Sequence, residues 1–213
     1  MFSHSLEQIA KISRKLRNRL ILRNTNKSID EELRPLDPFF RNALLSMYSG
    51  EPQVGTNGLL HQLGGKPGVN IQSGVGATKG MWLYEFCLKN KFKSSLEIGM
   101  AFGFSTLYIM AALSKNQYGS HTAIDPAQSD LWHGIGRAHG ERSASKLRAD
   151  EKFHFFEERS ELAATDAIRE NRKYDFIFID GAHLFENILA DFFLYSFLCP
   201  TGGYIVFDDL WMD

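Results

Sequence analysis

From about residue 77 the apolar positions follow two alternating rhythms, one recurring every three or four residues and one running in short continuous blocks. The first is the stripe of an amphipathic helix, and the second suits a strand covered on both faces. Read in order, helix ATKGMWLYEFCLKN leads to strand SSLEI and helix FSTLYIMAALSKN to strand HTAID. A helical region over about 128–149 then leads to strand KFHFF, helix ELAATDAIRE to strand YDFIFID, and helix LFENILADFFLYSFL to strand GYIVFDD. In the last helix Phe185, Ile188, Leu189, Phe192 and Phe193 fall at i, i+3, i+4, i+7 and i+8. Five strands alternating with helices are the signature of βαβ units and a mostly parallel sheet. The start of the chain reads differently: a helix to about residue 23, a second around 36–48, then the glycine-rich stretch EPQVGTNGLLHQLGGKPGVN. The expected organisation is an N-terminal helical and loop extension over 1–72 and a doubly wound α/β domain over 73–213.

Composition then narrows the function classes. With 213 residues, 24 Lys and Arg against 25 Asp and Glu, and 44% hydrophobic residues, the chain is an ordinary globular protein with length enough for a full core. A net charge of −1 gives no clustered positive field for nucleic acid or an acidic membrane surface, so a small molecule is the expected partner. Cys87 and Cys199 lie far apart in apolar stretches, which suits buried thiols in a reducing, cytoplasmic setting. No run of 18 apolar residues is present and the start lacks the apolar core of a secretory signal. Through Arg23 that start carries six basic residues against Glu7 alone. It reads as the solvated face of a packing helix with Leu6, Ile9, Leu16 and Leu20 inward, an amphipathic anchor or presequence being the alternative.

The chemistry concentrates where strands end. Open α/β sheets bind ligands at the carboxyl ends of their strands, and Glu97-Ile98-Gly99-Met100-Ala101-Phe102-Gly103-Phe104-Ser105 is such a junction. Asp125 closes the second strand about 20 residues after Gly103, where an acid can accept hydrogen bonds from both ribose hydroxyls of an adenosine cofactor. Asp180 follows YDFIFI, and Asp208 with Asp209 follows GYIVF, so three carboxylates converge at adjacent strand ends. Such a cluster needs a compensating cation, and an all-oxygen set favours a hard ion such as Mg²⁺; capping aspartates facing water are the plainer reading. His183, three residues after Asp180, is placed to take a proton near neutrality. In the stretch 128–136, Trp132 offers a flat apolar wall for a base, or ordinary core packing. His61, His133 and His139 suggest no partner.

These residues resemble the class I S-adenosylmethionine-dependent methyltransferases, and within them the metal-dependent O-methyltransferases of the macrocin and catechol type. SLEIGMAFGFST is similar to that family's first motif, with Ala101 at the position of a middle glycine in other classes. Val75-Gly76-Ala77-Thr78-Lys79-Gly80 is similar to the Val-Gly-x-x-Lys-Gly segment that closes over the cofactor, and AIDPAQSDLWHGIG and FIDGAHLFENILADF resemble macrocin-type segments. The resemblance implies a Rossmann-like sheet of strand order 3-2-1-4-5 from which the family's C-terminal β6–β7 hairpin is missing, since the chain stops four residues after Asp209.

It also implies roles. Glu97 would shape the pocket around the methionine amine and carboxylate, Gly99 would admit the cofactor, and Ser105 would hydrogen-bond its carboxylate. Asp125 would hold the ribose and Ser160 would lie near the adenine. Asp180, Asp208 and Asp209 would ligate Mg²⁺, and His183, where catechol-type enzymes have a lysine, would be the base. The implied reaction is methyl transfer to a hydroxyl of a sugar, natural product or catechol-like diol. Two other readings stand beside it: a non-catalytic S-adenosylmethionine-binding module, and a nicotinamide-dependent oxidoreductase, which the absence of Gly-x-Gly-x-x-Gly opposes. An exposed fifth strand would favour a homo-oligomer.

Overall fold

The computed structural model describes residues 28–63, 74–182 and 184–208. The expected first helix, part of the glycine-rich stretch with the boundary near 72, His183 and Asp209 lie outside the described residues. The elements in chain order are α1 (Ile29–Glu32), α2 (Pro38–Tyr48), β1 (Gln53–Val54), β2 (Leu60–His61), α3 (Ala77–Asn90), β3 (Ser94–Ile98) and α4 (Phe104–Asn116). There follow β4 (Ser120–Ile124), α5 (Ile135–Lys146), a single 3-10 turn, β5 (Phe153–Phe156), α6 (Ser160–Arg169), β6 (Phe176–Ile179), α7 (Phe185–Ser196) and β7 (Tyr204–Phe207).

The main sheet has the order β5-β4-β3-β6-β7, and every neighbouring pair is parallel. The expectation of five strands with a missing β6–β7 is corrected by this topology. Seven strands are present among the described residues, and the sixth and seventh in chain order lie within the main sheet, joined through α7 as parallel neighbours rather than as a hairpin. The two strands that periodicity does not reveal are β1 and β2, an antiparallel ribbon in the glycine-rich stretch. Each is only two residues long, too short for an alternation of period two to be read.

The parallel sheet is buried on both faces, and its sequence shows why. In β6 the alternation of side chains sends Phe176 and Phe178 into one core with α3, α4 and α5, and Ile177 and Ile179 into the other with α6 and α7. The first core also takes Leu33, Leu36, Phe40, Leu44 and Met47, so α2 packs into the same hydrophobic body as α4. Helix α4 is the centre of this layer: all ten residues from Phe104 to Leu113 are buried. Full burial of side chains such as Leu107, Ile109 and Met110 is worth about 1.5–3 kcal/mol each. No helix among the described residues is long and apolar enough to cross a membrane.

Candidate active site

A cavity of about 630 Å³ opens at the carboxyl ends of β3, β4, β6 and β7. Its floor is the turn from β3 into α4. Gly99 has φ +82°, and a Cβ there would lie 2.3 Å from the carbonyl oxygen of Asp180, so only glycine lets the turn pass under β6. Ala101 also adopts a left-handed φ of 45°. Its strain is held by two bonds: its N–H donates to Asp125 Oδ2 at 2.8 Å, and its carbonyl accepts from Gln128 Nε2 at 2.6 Å.

Asp125, at the end of β4, is almost fully buried and lines the cavity. Besides Ala101, its carboxylate accepts from Ala127 N at 2.9 Å through Oδ1. Gln128 is wholly buried and completes the clamp, its Oε1 accepting from Arg137 N at 3.1 Å at the start of α5. The sequence pointed to this stretch for Trp132 alone. Trp132 does line the cavity, with its ring edge-on to Phe102 at 5.0 Å. The loop carrying it is braced by the β1–β2 ribbon, where His61 stacks on His133 with ring centroids 4.4 Å apart. These two histidines are therefore partners of each other.

Glu97 lies behind the cavity lining rather than in it. Side chains alternate across β3, so Ser95 and Glu97 face α4 while Leu96 and Ile98 face the other core. The Glu97 carboxylate is fully buried beneath the cavity floor. It accepts from Ser105 Oγ at 2.7 Å, from Thr106 Oγ1, and pairs with His121 Nε2 at 3.0 Å. Ser105 is the member of this group that lines the cavity. A hydroxyl has one hydrogen, and Ser105 gives it to Glu97, so toward the cavity it offers lone pairs suited to an ammonium rather than to a carboxylate.

One wall comes from the segment before α3. Val75 lines the cavity, and its carbonyl accepts from Tyr48 Oη at 2.6 Å, so α2 fastens this wall from behind. Burial pushes the Tyr48 phenol well above its ordinary value, so the hydroxyl keeps the proton it donates. The opposite wall is Ser160, at the start of α6, which donates to Asp191 Oδ1 at 2.6 Å. Asp191 on α7 also lines the cavity, and burial raises its carboxyl pKa above the ordinary range. Asp191 was not anticipated, although it is the one acid in the apolar run ILADFFLY.

The acidic end is formed by Asp180 and Asp208, both lining the cavity at the ends of the neighbouring strands β6 and β7. Lys79 of α3 reaches Asp208, Nζ to Oδ1 2.5 Å. Among the described residues no group of three His, Cys, Asp or Glu side chains could hold a metal ion. Of the residues singled out from sequence, Val75, Gly99, Ala101, Ser105, Asp125, Trp132, Ser160, Asp180 and Asp208 line one cavity. Glu97 lies below it.

Residues 96–210 match the family model described as "Methyltransferase domain". No curated protein matches the sequence. Among solved structures, the chain is similar to an O-methyltransferase from Bacillus cereus in complex with SAH, at 20% identity and TM-score 0.53, covering 64% of this chain and 58% of that one. It is also similar to the SAH-bound methyltransferase PaMTH1 of Podospora anserina, at 17% identity and TM-score 0.51, covering 65% and 55%. Cofactor-bound Rv0187 from MTB gives 19% identity and TM-score 0.52, covering 80% and 65%. The chain thus spans less than two thirds of the length of each of these proteins.

Proposed function

The chain belongs to the methyltransferase-domain family, and on that premise we propose that it transfers a methyl group from S-adenosylmethionine to a hydroxyl oxygen of a small molecule. The observation that carries this reading is Asp125, a buried carboxylate held by the Ala101 and Ala127 amides at the rim of the glycine turn, in a cavity of about 630 Å³. That size suits a nucleoside-sized ligand. Three of the solved structures with this fold are described as bound to SAH or to a cofactor, and two of them as methyltransferases.

When bound, the cofactor supplies a sulfonium methyl group that passes by in-line displacement to the acceptor oxygen. The chain's own residues supply position, which is where much of the acceleration of a two-reactant step arises. Asp125 accepts hydrogen bonds from the ribose hydroxyls. Ser105, its hydrogen committed to Glu97, accepts from the cofactor's ammonium. Trp132 and Val75 flank the ligand, and Ser160 with Asp191 borders the adenine end. The acceptor enters at Asp180 and Asp208. His183 is the proposed proton acceptor, supported by its place three residues after Asp180 in the sequence.

Among the described residues no group of three His, Cys, Asp or Glu side chains could hold the implied Mg²⁺; of its three implied ligands Asp180 and Asp208 line the cavity, Asp208 beside the Lys79 ammonium, and Asp209 lies outside the described residues. Cytoplasmic residence and a homo-oligomer belong to the same proposal, supported by the free thiols Cys87 and Cys199 and by β7 standing last in the sheet among the described residues.

Calorimetric titration with S-adenosylhomocysteine (SAH), with NAD as control, tests the reading. Saturable binding of SAH alone is expected, and Asp125→Asn should weaken it by about 1–3 kcal/mol, the cost of losing charge-assisted hydrogen bonds. Binding of NAD instead, or SAH binding indifferent to Asp125→Asn, would overturn it.

A further inference from the structure

His121 is a buried ionisable group to which the proposed reaction gives no part. It stands on β4, wholly buried, against Glu97 of β3 and near the ring of Phe153 on β5. Its hydrogens can be counted. Ser95 Oγ donates to Ser120 O at 3.1 Å, which spends its one hydrogen, so in the 2.9 Å contact with His121 Nδ1 the imidazole is the donor. Glu97 accepts on Oε2 from Ser105 and on Oε1 from Thr106, and its remaining contact, Oε1 to His121 Nε2 at 3.0 Å, is again an N–H donating. Both ring nitrogens therefore carry hydrogen, and His121 is an imidazolium beside a carboxylate. Either charge buried alone would be costly, whereas the pair is neutral. Among the described residues His121 is the one basic side chain paired with Glu97. The Cys87 thiol, which also feels that carboxylate, keeps its hydrogen, because burial pushes it well above its ordinary value and the charge of Glu97 adds to the shift.

We propose that His121 is a positioning residue for the cofactor's ammonium: by pairing with Glu97 it keeps the Ser105 hydrogen turned away from the cavity, so that Ser105 meets the ligand as an acceptor. The inference rests on the methyltransferase reading above. Ser105 gives its one hydrogen to Glu97 at 2.7 Å, so the side of its oxygen that faces the cavity is lone pair, matched to a donor. Without the imidazolium, Glu97 would be a buried charge lacking a partner, and such a group takes up a proton instead. A protonated carboxyl must place that hydrogen on a neighbour, and its neighbours are the Ser105 and Thr106 hydroxyls. Ser105 would then turn its own hydrogen to the cavity and oppose the ammonium, donor against donor. His121 thus acts on the ligand through Glu97 and Ser105, from behind the cavity floor.

The experiment titrates the full chain by calorimetry with SAH and with its deaminated analogue, which lacks the ammonium. His121→Gln should weaken SAH at least about tenfold, the worth of a charge-assisted hydrogen bond, and leave the deaminated analogue within about twofold. Adding Glu97→Gln removes the unpartnered charge and again offers Ser105 a carbonyl oxygen, so the double variant should recover SAH binding to within about threefold of wild type. Equal loss of both ligands by His121→Gln, no loss of SAH, or no recovery in the double variant would overturn the inference. If His121→Gln does not fold, the wild type decides. Nitrogen-15 NMR of the histidine-labelled chain should show a hydrogen on both ring nitrogens of His121, and a bare Nδ1 would overturn the inference. Failure of the folded wild type to bind SAH would instead overturn the methyltransferase reading itself, so the two failures are distinct.

Discussion

Helices α4 and α7 lie on opposite faces of the same sheet, and both are strongly apolar, yet they end in opposite states. Helix α4 buries every residue from Phe104 to Leu113 beneath α2, α3 and α5. Helix α7 buries only Asp191 and Tyr195 among its residues and leaves Phe185 77% exposed, Phe193 62%, and Leu189 more than half, as it does Phe197 just past its end. An apolar stripe therefore reports what a helix could bury, while burial is decided by how many layers lie over it. The two ends of the cavity inherit the difference. The glycine turn and Asp125 rest on the closed α4 layer and are held by several bonds each, whereas the acidic end borders α7.

This contrast can be broken by mutation. Leu107→Ala, in the closed layer, should cost about 2–5 kcal/mol in denaturant unfolding, because the cavity it leaves has no room to collapse. A loss below about 1 kcal/mol would mean that α4 is less enclosed than its burial indicates.

A second measurement sharpens the contrast through acid. His139 of α5, on the same side as α4, is buried with Nε2 lacking a hydrogen-bond partner, and burial, aided by the charge of Arg142, lowers its pKa from 6.5 to about 3. Below pH 6.5 the unfolded chain takes up a proton that the folded chain refuses, so stability falls as pH drops from about 6.5 toward 3. The loss reaches about 2 kcal/mol by pH 5. His139→Leu should remove that slope, which parallel denaturation curves at pH 7 and 5 would reveal; an unchanged slope would assign the acid sensitivity to other groups.

The smallest expected effect is the most direct test of the open side. Phe193→Ser should change the stability of the monomer by no more than about 0.5 kcal/mol, since its ring already meets water. A loss comparable to that of Leu107→Ala would show that Phe193 is covered in solution.

The legible parts of this molecule are those where one rhythm persists. Helices α3 and α4 and strand β3 have the bounds that their apolar spacing predicts, because long runs of one period leave little choice. The region from 128 is less faithful. A helix is expected there, but residues 126–134 form a loop and α5 begins only at Ile135, because Gln128 and Asp125 spend their polar groups pinning the turn of Ala101. Nearness in space across strands is what spacing cannot show. The Lys79 to Asp208 pair joins elements far apart in the chain, and the withdrawal of Glu97 depends on Thr106 and His121 standing ready behind it. Asp191 is the opposite case, the one acid in the apolar run ILADFFLY, a feature of the sequence itself.

The alternation in β6 has a consequence for how the chain finds its native pairing. In a strand with one wet face, a slip of one residue drives oily side chains into water and is rejected at once. Phe176, Ile177, Phe178 and Ile179 are all buried, so no such penalty guards this strand. What guards it is shape: a slip would push two aromatic rings into the space of two branched aliphatics on one face, and leave voids on the other. Proofreading at the centre of this sheet is thus done by volume rather than by solubility, and it comes into force only when both helical layers have closed.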